Sequence, residues 1–457
     1  MARGKKAAKE LSPKEKLQQA FVPAEEQPYP IPENWCWAYI GNCYEVTSSK
    51  RVHKEDWKDS GVPFYRTREL VKLSENGYVD NELFIANELY KKLVADYGKP
   101  KIGDILISGV GTIGVPFIVK ENAPFYFKDG NIIWFQCKGI CLPEYIFYLY
   151  KSNFMSNLIH DMSAGTTVDT YTIINANRTM FPLPPLAEQK RIVTRIESLF
   201  AKLDEAKEKA QAVVDGFELR KSAILHKAFT GELTERWRNE RGADKWLTST
   251  FGKYTNSQYG YTESATQEPI GPKFLRITDI QDGVVDWDKV PYCAISKDDF
   301  EKYSMKQGDI VIARTGATTG KSYLIADDVK AVFASYLIRL TMKQAGLIAR
   351  YLYYFMQSPS YWQQITEFSA GIAQPGVNAK KLQKIELPIP SVDEQKQIVF
   401  VLGKILRKER QAKEAAETVL DQIDTMKKAI LARAFRGELG TNNPEEEWAG
   451  ELLKKTL

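Results

Sequence analysis

Apolar residues recur at alternating spacings of four and three in two stretches of this chain. In the first they are Ile192, Ile196, Leu199, Leu203, Ala206, Ala210, Val213, Phe217 and Ile224, interrupted only by Arg220. In the second they are Ile398, Leu402, Ile405, Ala412, Ala416, Val419, Ile423, Met426 and Ile430, with Glu409 as the exception. Charged residues fill the flanks. A seam sustained over several heptads predicts long helices packed in coiled-coil fashion, with a solvated outer face. Ser391-Val392-Asp393-Glu394 fits a capping box at the start of the second helix. The first copy has Pro185 there and keeps Glu188 in its first turn, near the positive end of the helix dipole. Each stretch closes on a glycine, Gly231 or Gly437, suited to the left-handed residue after a helix. About 44 residues between these signals predict rods of roughly 66 Å.

The two stretches are copies. Pro184-Pro185-Leu186-Ala187-Glu188-Gln189-Lys190-Arg191-Ile192-Val193 returns as Pro390-Ser391-Val392-Asp393-Glu394-Gln395-Lys396-Gln397-Ile398-Val399, a shift of 206 positions. The same shift carries Ala228-Phe229-Thr230-Gly231-Glu232-Leu233 onto Ala434-Phe435-Arg436-Gly437-Glu438-Leu439. A period this long exceeds the roughly 20–50 residues of solenoids and propellers and indicates repeated whole domains. Matched lengths and seams make the two helices natural partners. We read them as antiparallel, because a two-fold axis across the pair would place the attached domains at opposite ends. A third fragment, Leu17-Gln18-Gln19-Ala20-Phe21, resembles both helix ends, and Trp35, Trp246 and Trp448 follow the three copies. The chain thus reads as a cyclic arrangement cut at one point.

The intervening regions are related more loosely. Phe64 to Leu70 aligns with Phe274 to Ile280, Lys101 to Ser108 with Lys306 to Ala313, and Ser163-Ala164-Gly165 with Ser369-Ala370-Gly371. Short β-branched runs between glycine-rich turns, with helical stretches such as 143–150 and 347–354, give an α+β pattern. Framework pieces persist while loops diverge, as expected where loops carry different specificities on one scaffold.

Composition adds little constraint. A net charge of +5 permits nucleic-acid binding without demanding it. No apolar run approaches the roughly 18 residues of a membrane span. The basic N-terminus is followed by no apolar segment, so no secretory signal is expected. Cys36, Cys43, Cys137, Cys141 and Cys293 form no Cys-x-x-Cys pair and read as buried thiols of a cytoplasmic protein.

The paired Glu-Gln-Lys-x-Ile-Val blocks, each closing on Ala-Phe-x-Gly-Glu-Leu, resemble the specificity subunit of type I DNA restriction–modification enzymes across essentially the whole chain. The resemblance implies two mixed α/β target recognition domains joined by two long antiparallel helices with pseudo-two-fold character. On that basis residues 1–29 complete the helical repeat, 30–184 and 234–390 are recognition domains, 185–233 and 391–440 are helical spacers, and 441–457 is a tail. It further implies double-stranded DNA with a split target as ligand, with the helices as ruler and as dock for two methyltransferase subunits. A motor–nuclease subunit would join for cleavage. Catalysis, S-adenosylmethionine, ATP and Mg are expected on the partners, with no cofactor or metal in this chain. Geometry agrees: the seam from Ile192 to Ile224 spans roughly 48 Å by helix rise, and one to one-and-a-half turns of B-DNA cover about 34–51 Å.

Base readers are expected among Arg, Lys, Asn, Gln, Ser and Thr on exposed turns, and phosphate contacts from Lys, Arg and backbone amides. In the first domain the candidates are Lys50, Arg51, Arg66, Arg68, Ser108, Thr112, Thr166, Thr167 and Tyr171. In the second they are Tyr259, Tyr261, Thr262, Arg276, Thr278, Arg314, Thr315, Thr318, Lys321 and Gln374. Each is also an ordinary surface or turn residue on a bland reading. Arg314 stands out, in a glycine-flanked turn just past a buried strand. Two rival classes are a self-contained DNA methyltransferase or nuclease and a coiled-coil adaptor that binds no DNA. Arg314-Thr315-Gly316-Ala317-Thr318-Thr319-Gly320-Lys321-Ser322 nearly spells a phosphate loop, but threonine stands where the first glycine belongs, and a strand-like run follows. No Asn/Asp-Pro-Pro-aromatic tetrad occurs, and the three histidines, His53, His160 and His226, are scattered.

Overall fold

The computed structural model of the chain describes residues 18–163, 169–242, 245–281, 283–343, 345–369 and 376–455. The chain divides into two compact units, residues 1–209 with 419–457 and residues 210–418. Leu17, Ala164, Gly165, Ala370 and Gly371, used above to align the repeats, lie outside the described residues.

Each unit carries one globular domain built on the same frame. In the first, a four-stranded antiparallel sheet has the order Tyr44–Thr47, Ile132–Cys137, Ile105–Ser108, Pro116–Ile118. In the second, the order Thr255–Tyr259, Leu337–Met342, Ile310–Ala313, Ser322–Leu324 repeats it. The central strands Ile105–Ser108 and Ile310–Ala313 are buried on both faces, which explains their unbroken apolar runs. A short antiparallel pair closes each domain onto its helix: Cys36–Tyr39 with Met180–Leu183, and Leu247–Thr250 with Glu386–Ile389.

The Gly-Asp pairs that align the domains are structural. Gly103 and Gly308 adopt φ of 92° and 91°, a region that favours glycine. Asp104 then accepts hydrogen bonds from the Lys101 N–H (2.8 Å), the Trp134 indole (2.8 Å) and the Cys137 N–H (3.0 Å). Asp309 accepts from the Lys306 N–H at 3.0 Å and pairs with Arg339, which stands in place of the tryptophan.

The first long helix runs Leu186–Asp215 and resumes as Phe217–Phe229, whereas the second is unbroken over Val392–Ala434. In the first unit the two helices run antiparallel: Ile192 and Ile196 share a core with Leu431 and Ala434 near the second helix's end, and Asp204 meets Lys427 at 2.6 Å. In the second unit Arg220 meets Glu409, and Leu225, Ala228 and Phe229 share a core with Ile398 and Leu402. Ile192, Ile196, Ile398, Leu402 and Ile423 of the seam are buried, and Leu199, Leu203, Val213, Phe217, Ile224, Ile405 and Ile430 are half-buried. Val419 and Met426 depart from expectation, being 39% and 45% exposed. A pair of helices covers only one side of each seam residue, and Met426 lines an open apolar groove with Leu199, Leu203 and Ile430.

The repeated Glu-Gln pair joins helix to domain. Gln189 accepts from the Leu142 N–H (2.7 Å) and donates to the carbonyls of Ile140 and Pro184. Gln395 repeats this with Ile348 N–H (2.9 Å), Gly346 and Pro390, each shifted by 206 positions. The capping box is only half formed. Ser391 Oγ accepts from the Glu394 N–H at 3.2 Å, but the buried Glu394 carboxylate turns elsewhere. It accepts from Thr234 Oγ1 (2.7 Å), Arg238 (3.0 Å) and the Trp246 indole (2.9 Å), all just past the end of the first helix. Glu188 likewise accepts from Thr441 Oγ1 at 2.6 Å, just past the end of the second helix. Each helix start is therefore fastened to the other helix's tail, and Phe21, Trp35 and Trp448 share one unit. There Trp448 donates to the Trp35 carbonyl at 3.1 Å and stacks on Phe21 with ring centroids 5.2 Å apart.

All five cysteines are free thiols; Cys137 is half-buried and the others buried. Burial pushes Cys293 up to about 11, which keeps it protonated and unreactive. No helix among the described residues is long and apolar enough to cross a membrane.

Candidate nucleic-acid interface

The two domains present corresponding turns at the end of the central strand. In the first, the Gly109 N–H donates to the Asn131 carbonyl at 2.7 Å, and the Gly109 carbonyl accepts from the Tyr171 N–H at 2.8 Å. In the second, the Arg314 N–H donates to the Tyr336 carbonyl at 3.1 Å, and the Arg314 carbonyl accepts from the Val377 N–H at 2.9 Å. One backbone scaffold thus carries a bare glycine in one domain and an arginine in the other. The glycine is required where it stands: a Cβ on Gly109 would lie 2.8 Å from the Tyr171 carbonyl.

Arg314 is half-buried, with its guanidinium 5.0 Å from the centre of the Tyr259 ring. Tyr259 is 41% exposed, and its hydroxyl accepts from the Ala379 N–H at 3.1 Å, so the ring that supports the cation is itself anchored. Tyr336, whose carbonyl holds the Arg314 N–H, is 62% exposed and was not among the expected residues. An exposed aromatic inside a strand-connecting turn is the signal that could have found it. Thr315 and Thr318 are half-buried on the same turn, and Lys321 is exposed. Thr262 and Thr278 are exposed elsewhere on the domain, and the half-buried Tyr261 packs at a tilt against Tyr303 with centroids 5.3 Å apart.

Two first-domain expectations fail on burial. Ser108 is fully buried; its hydroxyl donates to the Thr112 carbonyl and accepts from the Val115 N–H at 2.8 Å, closing the glycine turn. Tyr171 is equally buried, its hydroxyl 2.9 Å from that of Tyr150 and 2.6 Å from Thr179 Oγ1. Burial pushes this phenol up to about 12, and it is part of the core. Neither reaches solvent, so neither can touch DNA.

Arg66 and Arg276 turn out to be paired at home. The Arg66 guanidinium donates twice to Glu69, at 3.1 and 2.8 Å, while its backbone N–H donates to the same carboxylate. Arg276 and Asp279 repeat the arrangement at 3.1 and 2.7 Å. A bidentate partner occupies the donors a base would need. Arg68 bridges Glu69 and Glu82. Lys50, Arg51 and Thr112 remain exposed, Lys50 over the Tyr97 ring at 4.9 Å and Arg51 beside Asp129 at 3.2 Å. Thr166, Thr167 and Gln374 lie outside the described residues.

The segment resembling a phosphate loop does not have that shape. Gly316–Thr318 is a single turn of 3-10 helix and Ser322–Leu324 is a strand, so no helix N-terminus converges on the glycines.

Residues 32–214 and 261–418 each match the type I restriction modification DNA specificity domain. The EcoKI specificity subunit of Escherichia coli K12 is 25% identical over 454 residues, covering 93% of this chain and 95% of that protein. The MjaVIII specificity subunit of Methanocaldococcus jannaschii is 25% identical over 440 residues, covering 90% and 95%. In fold, the chain is similar to the HsdS subunit of Thermoanaerobacter tengcongensis, with a TM-score of 0.66 at 20% identity over 90% of this chain and 99% of that one. With the family match spanning most of its length in two copies on a duplicated frame, this chain belongs to the specificity subunits of type I restriction–modification systems.

Proposed function

We propose that this chain is the DNA-reading, non-catalytic subunit of a cytoplasmic restriction–modification complex. Each recognition domain reads one half of a split duplex target, and the paired helices set the spacer between the halves. Two methyltransferase subunits dock on the helical scaffold, where the open groove beside Leu199, Leu203 and Met426 offers apolar surface. S-adenosylmethionine, ATP and Mg act on those subunits and on a motor–nuclease partner.

The observation that supports this reading best is the exchange at one scaffold position, Gly109 in one domain and Arg314 in the other. Identical backbone hydrogen bonding with different side chains is what two readers of different half-sites require. Arginine presents a fork that matches the O6 and N7 acceptors of guanine. Tethering also supplies affinity: half-sites bound at about 10⁻⁵ M each, at an effective concentration near 10⁻³ M, give roughly 10⁻⁷ M for the pair.

Methylation mapping in cells carrying this chain and its methyltransferase tests the proposal. The expected pattern is one motif in two blocks flanking an unread spacer, with no methylation or cleavage by the purified chain alone. A single continuous motif, or activity of the isolated chain, would refute it.

A further inference from the structure

The two repeats, matched residue for residue at their Glu-Gln junctions, differ in charge on one face. In the second unit, an open cleft of about 780 Å³ lies between the helix Ala349–Phe355 and the stretch Val399 to Gln411 of the second long helix. Arg350, Lys404, Arg407 and Lys408 line it, with no acidic residue. The shift of 206 positions places Glu144, Ser198, Ala201 and Lys202 at the corresponding sites of the first unit. The hydrogen bonds of Gln189 and Gln395 show that this shift is a structural equivalence as well as a sequence one.

Four features of the cleft work against the stability of the isolated chain. Lys404 stands three residues from Arg407 and four from Lys408, spacings at which like charges repel on a helix. None of the four cations has a carboxylate partner among the described residues, although neighbouring Lys396, Lys413 and Arg220 all do. Phe400 projects beside them, 67% exposed, where the first unit has Thr194. Gly403 occupies a helix interior, an unfavourable place for glycine, where the first unit has Glu197. Its missing side chain leaves a notch against Tyr354, whose hydroxyl would lie 3.4 Å from an added Cβ.

We propose that this cleft docks one acidic amphipathic helix of a partner protein, and that the equivalent face of the first unit docks none. Partner carboxylates would neutralise the four cations, and an apolar partner residue would cover Phe400 and enter the notch at Gly403. Phosphates would satisfy the cations but gain nothing from the phenylalanine and the notch, so the surface favours protein over nucleic acid. A duplicated scaffold would thereby hold a single, non-duplicated partner segment. This inference does not depend on the DNA-reading role.

The test is titration of the full chain with a fluorescent helical peptide of about 20 residues, built from glutamate with a leucine stripe. One peptide should bind per chain, more weakly as salt rises. Combined Arg350→Glu, Lys404→Glu and Arg407→Glu should weaken it by at least about tenfold, and Phe400→Ala should weaken it while leaving the salt dependence in place. These side chains are solvent-facing, and circular dichroism of the variants should match the parent. Absence of saturable binding, two peptides per chain, or indifference to these substitutions overturns the proposal. A random-sequence duplex whose binding disappears in the same triple variant would overturn it too, assigning the cleft to nucleic acid.

Discussion

Arg220 Nε lies 2.7 Å from Glu409 Oε2, so the two residues that interrupt the two apolar seams interrupt them against each other. Arg220 also donates through Nη2 to the Val213 carbonyl at 2.9 Å, in the last turn before the helix breaks at Gly216. The pair is 38% and 24% exposed, so its net worth is expected to be no more than about 1 kcal/mol. A double-mutant cycle on thermal unfolding should return a coupling of that size. Arg220→Leu with Glu409→Leu together should be as stable as the parent or more so, because leucines restore the seam without stranding a charge. Marked destabilisation of the double variant would show that the ion pair is required.

Gln189 and Gln395 make the same three hydrogen bonds in separate units. Replacing either by leucine leaves one backbone N–H and two carbonyls unpaired. Each substitution is predicted to cost about 1–3 kcal/mol in chemical denaturation. Hydrogen exchange should rise at Leu142 in one variant and at Ile348 in the other. Protection that survives at those amides would contradict the assignment.

Glu69 ties acid sensitivity to the first recognition domain. Burial pushes its carboxyl up, but hydrogen bonds from the Arg66 side chain and backbone and from Arg68 outweigh this and hold it below its usual range. Such a group contributes stability above its unfolded value, about 4.3, and the contribution is lost as pH falls through the folded value. Glu69→Gln should therefore lower the stability at neutral pH by about 1–3 kcal/mol, read from chemical denaturation. The variant and parent curves should converge in acid. Parallel curves from neutral to acid would show that Glu69 carries no such linkage.

Arg314→Ala is predicted to relax base choice in one half-site by about 1–3 kcal/mol and to leave the other half-site untouched. Methylation mapping of the variant reads this directly. Uniform weakening over all sequences would instead assign Arg314 to phosphate.

Inserting four residues after Ala210, about one helical turn, is predicted to change the preferred spacer while both half-sites keep their letters. The same mapping with a library of spacers measures it. A spacer preference that does not move would remove the ruler from the account.

The duplication, the helical seams and the α+β frame were legible in the sequence because each rests on local periodicity. A 4–3 spacing of apolar residues, a capping residue, or a Gly-Asp turn carries its structure within a few positions. What the repeated glutamate and glutamine do was not legible. Glu394 looks like half of a capping box, yet it bonds to Thr234, Arg238 and Trp246, more than 140 positions away. The candidate readers were sorted the same way. Ser108, Tyr171, Arg66 and Arg276 have the right chemistry, but burial and a carboxylate partner withdraw them, while Tyr336 is exposed by a turn whose neighbours come from other strands. Side-chain type is written along the chain; whether that side chain faces solvent or a partner is decided only when distant segments pack.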